Sequence, residues 1–213
     1  MSGILDLLNS DMGKTIINGV AQQSGQSTDK TSSVLTMALP VLMGAMKRNA
    51  ATPEGAQGLM GALSGKHDGS ILDNLGGLFN GGVDANVMQD GAGILGHVLG
   101  GSQNNVTNAL SKKSGMDSDT IMQILQIAAP LVMGYLGKQS KQQNVSNSNG
   151  MGDLLGGLLG GGSAAPQQQS LIESVLDGDG DGSILDDVAG MVLNSGSNKK
   201  GGLGGLLGGL FGK

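Results

Sequence analysis

The sequence predicts an all-α fold, a multihelical bundle with an internal duplication, followed by a glycine-rich and flexible C-terminal region. Apolar residues recur at the three- and four-residue spacing of amphipathic helices, and polar residues that can cap helices precede them. One stretch of the chain also recurs 90 residues later (106 − 16). With two Phe, one Tyr and no Trp or Cys, the core must be built from aliphatic residues and the twelve Met.

The duplication covers residues 16–48, which align without a gap on residues 106–138. Agreement over this length in one register indicates a repeated structural unit. The matched pairs include Asn18 and Asn108, Gly25 and Gly115, Asp29 and Asp119, Ala38 and Ala128, Pro40 and Pro130, and Gly44 and Gly134.

Each copy is interpreted as a short amphipathic helix that ends at a Ser-Gly pair, followed by an Asp-capped helix that is apolar nearly all round. Pro40 and Pro130 fall inside the second helix, so we expect each to break or kink it. Gly44 and Gly134 follow four residues later and predict the close approach of another backbone. The most apolar run, 34–46, has about 13 residues, whereas a membrane span needs about 20, so it is interpreted as a buried core helix.

The N-terminus lacks the basic start and long apolar stretch of a secretory signal. We therefore expect a cytoplasmic protein by default, with export by a route that needs no such signal as the alternative. Cysteine is absent, so disulfide chemistry gives no indication of the compartment.

Four short stretches carry a family resemblance. They are Gly-Ile-Leu-Gly-His-Val-Leu-Gly-Gly at 93–101, Ala-Pro-Leu-Val-Met-Gly at 129–134, Gly-Ile-Leu-Asp-Leu-Leu at 3–8 and His-Asp-Gly-Ser at 67–70. Together they resemble the bacterial YidB-like family of domains of unknown function, over residues 1–140. The resemblance implies an all-α fold, no established activity and no catalytic residue.

An Asp-Gly-Asp-Gly-Asp-Gly-Ser loop at 177–183 predicts a calcium site. In a calcium loop of the EF-hand type, the first, third and fifth positions supply carboxylates, the sixth is a turn glycine and the seventh supplies a backbone carbonyl. Carboxylates this close repel one another unless a cation lies among them, although Asp and Gly also form ordinary solvated turns. Leu185 and Val188 stand at the ninth and twelfth positions, so Asp186 or Asp187 must close the site. The predicted ligands of one Ca²⁺ per chain are Asp177, Asp179, Asp181, Ser183, Asp186 and Asp187.

Part of this loop occurs earlier in the chain, because residues 67–74 resemble 180–187 at an offset of 113 residues (181 − 68). The earlier copy has Ser64 and Lys66 where the later copy has two of its carboxylates. We therefore expect a metal ion only at the later copy.

The earlier copy also bears on the closing ligand. Asp73 and Asp186 each lie three residues after a serine, Ser70 or Ser183, a spacing typical of a capped first helical turn. Asp186 is therefore interpreted as a cap residue more readily than as a metal ligand. Asp187 becomes its rival for closing the site.

The two histidines stand in different settings. His97 lies in a glycine-rich apolar stretch and is expected to be a structural residue, hydrogen-bonded between helices. His67 precedes a turn and is expected to be exposed. Neither has the sequence context of a nucleophilic site, so no catalytic residue is assigned.

The C-terminal tail carries a stripe of apolar residues at helical spacing, but seven of residues 201–213 are glycine. The stripe consists of Leu203, Leu206, Leu207, Leu210 and Phe211. We expect the tail to be disordered alone and ordered only against an apolar surface, either another copy, its own core or a membrane; an inert tail is the alternative. Gly-Gly-Leu-Phe at 76–79 recurs at 208–211, which predicts exchange of the tail between molecules.

These patterns divide the chain into a duplicated helical domain at 1–140, a Gln-, Asn- and Gly-rich linker at 141–170, a helix with the acidic loop at 171–195, and a tail at 196–213. The net charge of −5 and the lack of a basic, aromatic face argue against a nucleic-acid partner, and no small-molecule substrate is evident. We expect a non-enzymatic, calcium-binding structural or interaction protein that self-associates through Gly/Leu-rich segments or binds a protein partner. An exported or surface-associated protein folded by calcium is the alternative, and an enzyme acting through His97 is the third hypothesis.

Overall fold

Helices form the fold throughout residues 3–159, which are the residues that the computed structural model describes. No β-strand occurs among them, so the all-α prediction is confirmed. A short 3₁₀ turn spans Gly100–Ser102. In chain order the helices are α1 (Ile4–Asn9), α2 (Asp11–Ser24), α3 (Thr28–Asn49), α4 (Pro53–Ser64), α5 (Ser70–Asp73), α6 (Leu75–Phe79), α7 (Ala85–Leu99), α8 (Gln103–Ser114), α9 (Ser118–Gln142) and α10 (Ser148–Leu158).

Helix α9 lies at the centre of the core, where α2, α3, α4, α5, α7, α8 and α10 all pack against it. Ile121, Ile124, Leu125 and Ile127 on α9 are fully buried. Within the described residues α9 is the one helix long and apolar enough to cross a membrane, with a mean hydropathy of 1.4. Because 72% of its apolar window is buried inside the fold, α9 has the character of a core helix.

The α2–α3 and α8–α9 pairs share the same local structure. Gly25 ends α2 at a φ of 65°, and Gly115 ends α8 at a φ of 68°, the left-handed conformation in which glycine has no steric cost. The next helix is then capped by Ser27 or Asp117, whose side chain accepts a backbone N–H. The capping residues therefore lie two positions before Asp29 and Asp119. Those two aspartates lie in the first turn of each helix.

The prolines do not break their helices, which excludes the first of the two outcomes expected, a break or a kink. Helices α3 and α9 continue through Pro40 and Pro130. A proline leaves the carbonyl four residues before it without its usual helical partner. In α9 this is the carbonyl of Gln126, which packs directly against Gly91 of α7, where a side chain would collide with it. The two helices can approach closely because position 91 has no Cβ.

Part of the predicted linker at 141–170 is a helix. Asn147 caps α10 by accepting the N–H of Gly150 at 2.8 Å. The glycine content of α10 made a linker the natural expectation, but its apolar residues share one face and are at most 1% exposed. They are Met151, Leu154, Leu155 and Leu158. Burial of that face thus offsets the weak helix propensity of its glycines. The predicted segments at 171–195 and 196–213 lie outside the described residues.

Candidate functional site

The predicted calcium ligands lie outside the described residues. They are Asp177, Asp179, Asp181, Ser183, Asp186 and Asp187. Among residues 3–159, no group of three or more His, Cys, Asp or Glu side chains is arranged to hold a metal ion. The earlier copy of the loop is described, and we call residues 66–74 the first loop.

The first loop turns at Gly69, whose φ of 105° requires glycine. The carboxylate of Asp68 accepts the N–H of Ser70 at 3.1 Å, and α5 begins at Ser70. The expected capping by Ser70 is therefore wrong, because Gly69 occupies the cap position. The side chain that orders the turn belongs to Asp68, two residues before the helix starts.

Two lysines of α9 neutralise the carboxylates of the first loop. Lys141 Nζ lies 2.8 Å from Asp68 Oδ2, and Lys138 Nζ lies 3.3 Å from Asp73 Oδ1. The hydrogen bond from Lys141, followed by those from Ser70, holds the pKa of Asp68 well below its usual range. Asp73 is thus a partner of Lys138 rather than a helix-capping residue.

Two glycines of α9 allow the first loop to pack closely against this helix. A Cβ at Gly134 would lie 2.6 Å from Ile71 Cγ2, and a Cβ at Gly137 would collide with the carbonyl oxygen of His67. The sequence predicted the close approach of another backbone at Gly134; the nearest atom instead belongs to the side chain of Ile71, and the backbone of Gly69 lies farther away, with its Cα at 3.8 Å. At the matching Gly44 on α3, a Cβ would have no described atom within 4 Å.

His67 is buried, with 7% of its surface exposed, so its expected exposure is wrong. The backbone carbonyl of His67 lies against Gly137 of α9, a contact that the sequence around the turn does not predict. His67 Nε2 lies 3.7 Å from Asp90 Oδ2, and Lys66 Nζ lies 2.6 Å from the other oxygen of that carboxylate. Burial lowers the pKa of His67; Asp90 opposes this shift and Lys66 adds to it.

His97 is exposed near the C-terminal end of α7, and among the described residues its side chain does not form the expected hydrogen bond between helices. The contact between helices at this position comes from the backbone. Asn49 Nδ2 donates to the carbonyls of His97 at 3.0 Å and of Val98 at 3.3 Å. These bonds tie the end of α3 to the end of α7.

A cleft of about 880 Å³ lies between the end of α3, α4 and α7. Its size is within the range of ligand pockets. Apolar side chains and glycines form much of its lining, and polar groups complete it. The apolar and glycine residues are Met46, Gly55, Gly58, Leu59, Ala62, Gly93, Ile94, Val98 and Met133. The charged or titratable residues are Arg48, Lys66, His67, Asp90 and His97.

The polar groups of this cleft are mostly engaged in structural contacts. Thr52 Oγ1 donates to the carbonyl of Asn49 and accepts the N–H of Gly55, so this hydroxyl caps α4. Asp90 is paired with Lys66. The cleft is therefore better suited to bind an apolar group than to activate a nucleophile.

A model of bacterial proteins of unknown function (DUF937) matches residues 6–139 and 141–213. The chain belongs to this family. No curated protein and no solved structure matches the chain. Membership of DUF937 assigns no activity, so the function must be argued from the surfaces of the molecule.

Sequence reasoning missed three residues that hold the first loop of this DUF937 protein. Asp90 comes from α7, and Lys138 and Lys141 come from α9. Their contacts join positions far apart in the chain, and no local motif marks them. The one available signal was the spacing of Lys138 and Lys141, which places both on one face of a helix.

Proposed function

We propose that this DUF937 protein is a non-enzymatic interaction protein that associates with itself through segments built from glycine and leucine. We also propose that it binds Ca²⁺ through residues 177–187, and that it groups with the YidB-like members of its family.

Helix α10 is the observation that carries the proposal. It is built largely from glycine and leucine, and it packs against α3, α4 and α9 with its apolar face buried. Gly156 lies beside Lys47, and Gly3 of the N-terminal segment lies beside the carbonyl of Leu158, so both glycines allow close packing. This fold therefore has a groove that accepts a helix of such composition.

The tail repeats the apolar pattern of α10 at an offset of 52 residues (202 − 150). Residues 150–160 and 202–212 differ only where Met151 meets Leu203, Asp153 meets Gly205 and Leu159 meets Phe211. All four buried positions of α10 meet a leucine in the tail. These are Leu203, Leu206, Leu207 and Leu210. A groove of the same kind on a second copy of the protein would bury them.

Sedimentation of the full chain and of a variant lacking residues 201–213, across the micromolar range, tests the proposal. Truncation should shift the protein toward the monomer without lowering its Tm much. Leu206→Asp with Leu207→Asp should act like the truncation. Gly204→Asp with Gly208→Asp adds the same charge away from the stripe and is the matched control. Identical sedimentation of the full and truncated chains would contradict self-association through the tail.

The calcium proposal rests on the three alternate carboxylates of the acidic loop. A site with few charged ligands and an irregular closure should be weak, with a Kd of about 0.1 to 1 mM. Calorimetric titration should find one Ca²⁺ per chain, and Asp179→Ala with Asp181→Ala should abolish binding. Ser64→Asp with Lys66→Asp is the gain-of-site variant, expected to bind a second ion at the first loop. Unchanged binding in the Asp→Ala variant would contradict the assignment.

An exported or surface-associated protein folded by calcium is the second candidate, and the weakness of the expected site favours it. Cytosolic calcium is too scarce to fill such a site. Circular dichroism with and without millimolar Ca²⁺ distinguishes the two. A large gain of helix on adding the ion supports the second candidate, whereas a constant helix content supports the first.

A further inference from the structure

The cleft between α3, α4 and α7 has a buried apolar floor and an exposed polar rim. Met46, Met133 and Ile94 line it and are only 1%, 4% and 8% exposed, so they form its floor. Arg48 and His97 also line it, and both are exposed. A ligand that fills this cleft must therefore be apolar along most of its length and polar at one end.

One face of α4 and one face of α7 form walls of the cleft. The lining residues Gly55, Gly58, Leu59 and Ala62 recur at helical spacing on α4, and those of α7 recur every three or four residues. Gly58 and Gly93 belong to these two faces, and a Cβ at either position would meet no described atom within 4 Å. The space beside each glycine is therefore open to a ligand.

The lining is positively charged, although the chain as a whole is negative. Arg48 and Lys66 are the cations of the described lining and Asp90 is its one carboxylate, which gives a net charge of +1 (2 − 1) against −5 for the whole chain. Asp90 is already engaged by Lys66 at 2.6 Å and by His67 at 3.7 Å. Arg48 forms no ion pair among residues 3–159. Its guanidinium is thus the group that the cleft offers to an anion.

The lining also favours one kind of anion. A guanidinium presents a planar fork of donors that matches a carboxylate. No Phe, Tyr or Trp is among the described lining residues, so a flat ring would find no such ring to stack on. Methionine side chains are flexible and adapt to an irregular apolar partner. A saturated chain that ends in a carboxylate satisfies both the floor and the rim.

We propose that this cleft binds an aliphatic carboxylate, with the hydrocarbon chain against Met46 and Met133 and the carboxylate on Arg48. The proposal rests on residues that lie between positions 46 and 133. It depends neither on self-association through the tail nor on calcium.

Titration of the full chain with decanoate, followed by NMR of ¹³C-labelled methionine methyl groups, tests the binding. The methyl signals of Met46 and Met133 should shift and saturate at one decanoate per chain. Met43 is the internal control, because it matches Met133 in the repeat but is not among the lining residues, and its signal should not move. Unmoved Met46 and Met133 signals at millimolar decanoate would overturn the proposal.

The role of Arg48 is tested by comparing decanoate with decanol. Arg48→Gln should raise the Kd for decanoate about 10- to 100-fold, because a hydrogen bond between two charged groups is lost. The Kd for the neutral decanol should change little. Lys47→Gln is the matched control, since it removes the same charge from the same turn of α3 at a position outside the described lining. Equal weakening of decanoate binding by the two variants would overturn the contact with Arg48.

Filling the cleft gives a test that leaves the charge unchanged. Gly58→Leu and Gly93→Leu place a side chain in the cleft and should abolish the decanoate shifts, while the higher helix propensity of leucine preserves the fold. Gly61→Leu and Gly96→Leu are the controls in the same two helices. A Cβ at either control position also meets no described atom within 4 Å, and neither glycine is among the lining residues. Undiminished binding in both cleft variants would overturn the site.

A free carboxylate and an anionic membrane surface both combine an apolar chain with a negative charge, and vesicles distinguish them. Vesicles of phosphatidylglycerol should neither shift nor broaden the Met46 and Met133 signals, because the lipid chains stay in the bilayer. A response to these vesicles with none to monomeric decanoate would overturn the proposal in favour of membrane contact.

Discussion

Helices α3 and α9 are alike on their inward faces and unlike on their outward ones. Leu35 and its match Leu125 are at most 1% exposed, and both helices follow a helix that ends at a left-handed glycine. On the outside, α9 has Gly137 under the first loop, whereas α3 has the exposed Lys47. Local signals thus make the two helical pairs the same, and contacts with distant residues make their surroundings different.

The largest expected effects lie on the shared inward face. Leu35→Ala and Leu125→Ala should each lower the free energy of unfolding by about 3 kcal/mol, because each leaves a cavity in a packed core. Urea denaturation measures both. A difference of more than about 2 kcal/mol between them would show that the two inward faces are not equivalent.

The outward faces should respond unequally. Gly137→Ala should lower the free energy of unfolding by about 2 kcal/mol, since its Cβ would collide with the backbone of the first loop. Lys47→Ala, at the matching place on α3, should change it by less than about 0.5 kcal/mol. The same denaturation experiment applies. Unfolding of Gly137→Ala at the wild-type urea concentration would mean that the loop does not press on α9.

The two histidines should differ in their effect on the pH dependence of stability. Burial lowers the pKa of His67, so the imidazole of His67 binds a proton more readily in the unfolded chain than in the folded one. Stability from neutral His67 is therefore complete above about pH 6.5 and is lost as the pH falls from there toward the folded pKa.

Thermal melts at about pH 7.5 and about pH 5.5 measure this loss. His67→Asn should lose less Tm on acidification than the wild type does. His97→Asn, which changes an exposed histidine, is the control and should keep the wild-type dependence. Equal acid sensitivity in all three proteins would contradict the burial of His67.

The smallest expected effect concerns the lysine pairs of the first loop. Lys141→Ala should let the pKa of Asp68 rise toward its usual value, because the hydrogen bond from Lys141 is the largest cause of its lowering. An NMR titration of the Asp68 carboxyl measures the shift. Added salt should reduce the difference between the two proteins, since the pair is exposed to solvent. An unchanged pKa in Lys141→Ala would mean that the pair does not persist in solution.

Two of the expectations that failed have a common cause. His67 was expected to be exposed, and it is buried because α9 packs beside it. The residues of α10 were expected to form part of a linker because glycine favours neither helix nor strand. They form a helix because its apolar face is buried against α3, α4 and α9. In both cases a local pattern was outweighed by a contact with residues far along the chain.

The sequence by itself determined the helical class, the stops at Gly25 and Gly115 and the buried faces of α3 and α9, because capping, left-handed glycine and helical periodicity act over a few neighbouring residues. The tertiary structure alone decided that Gly91 receives the carbonyl of Gln126 and that Gly137 receives the first loop. It also decided that Lys138 and Lys141 neutralise that loop. Those contacts join residues tens of positions apart, and the local sequence around a glycine or a lysine does not indicate which distant residue will pack against it.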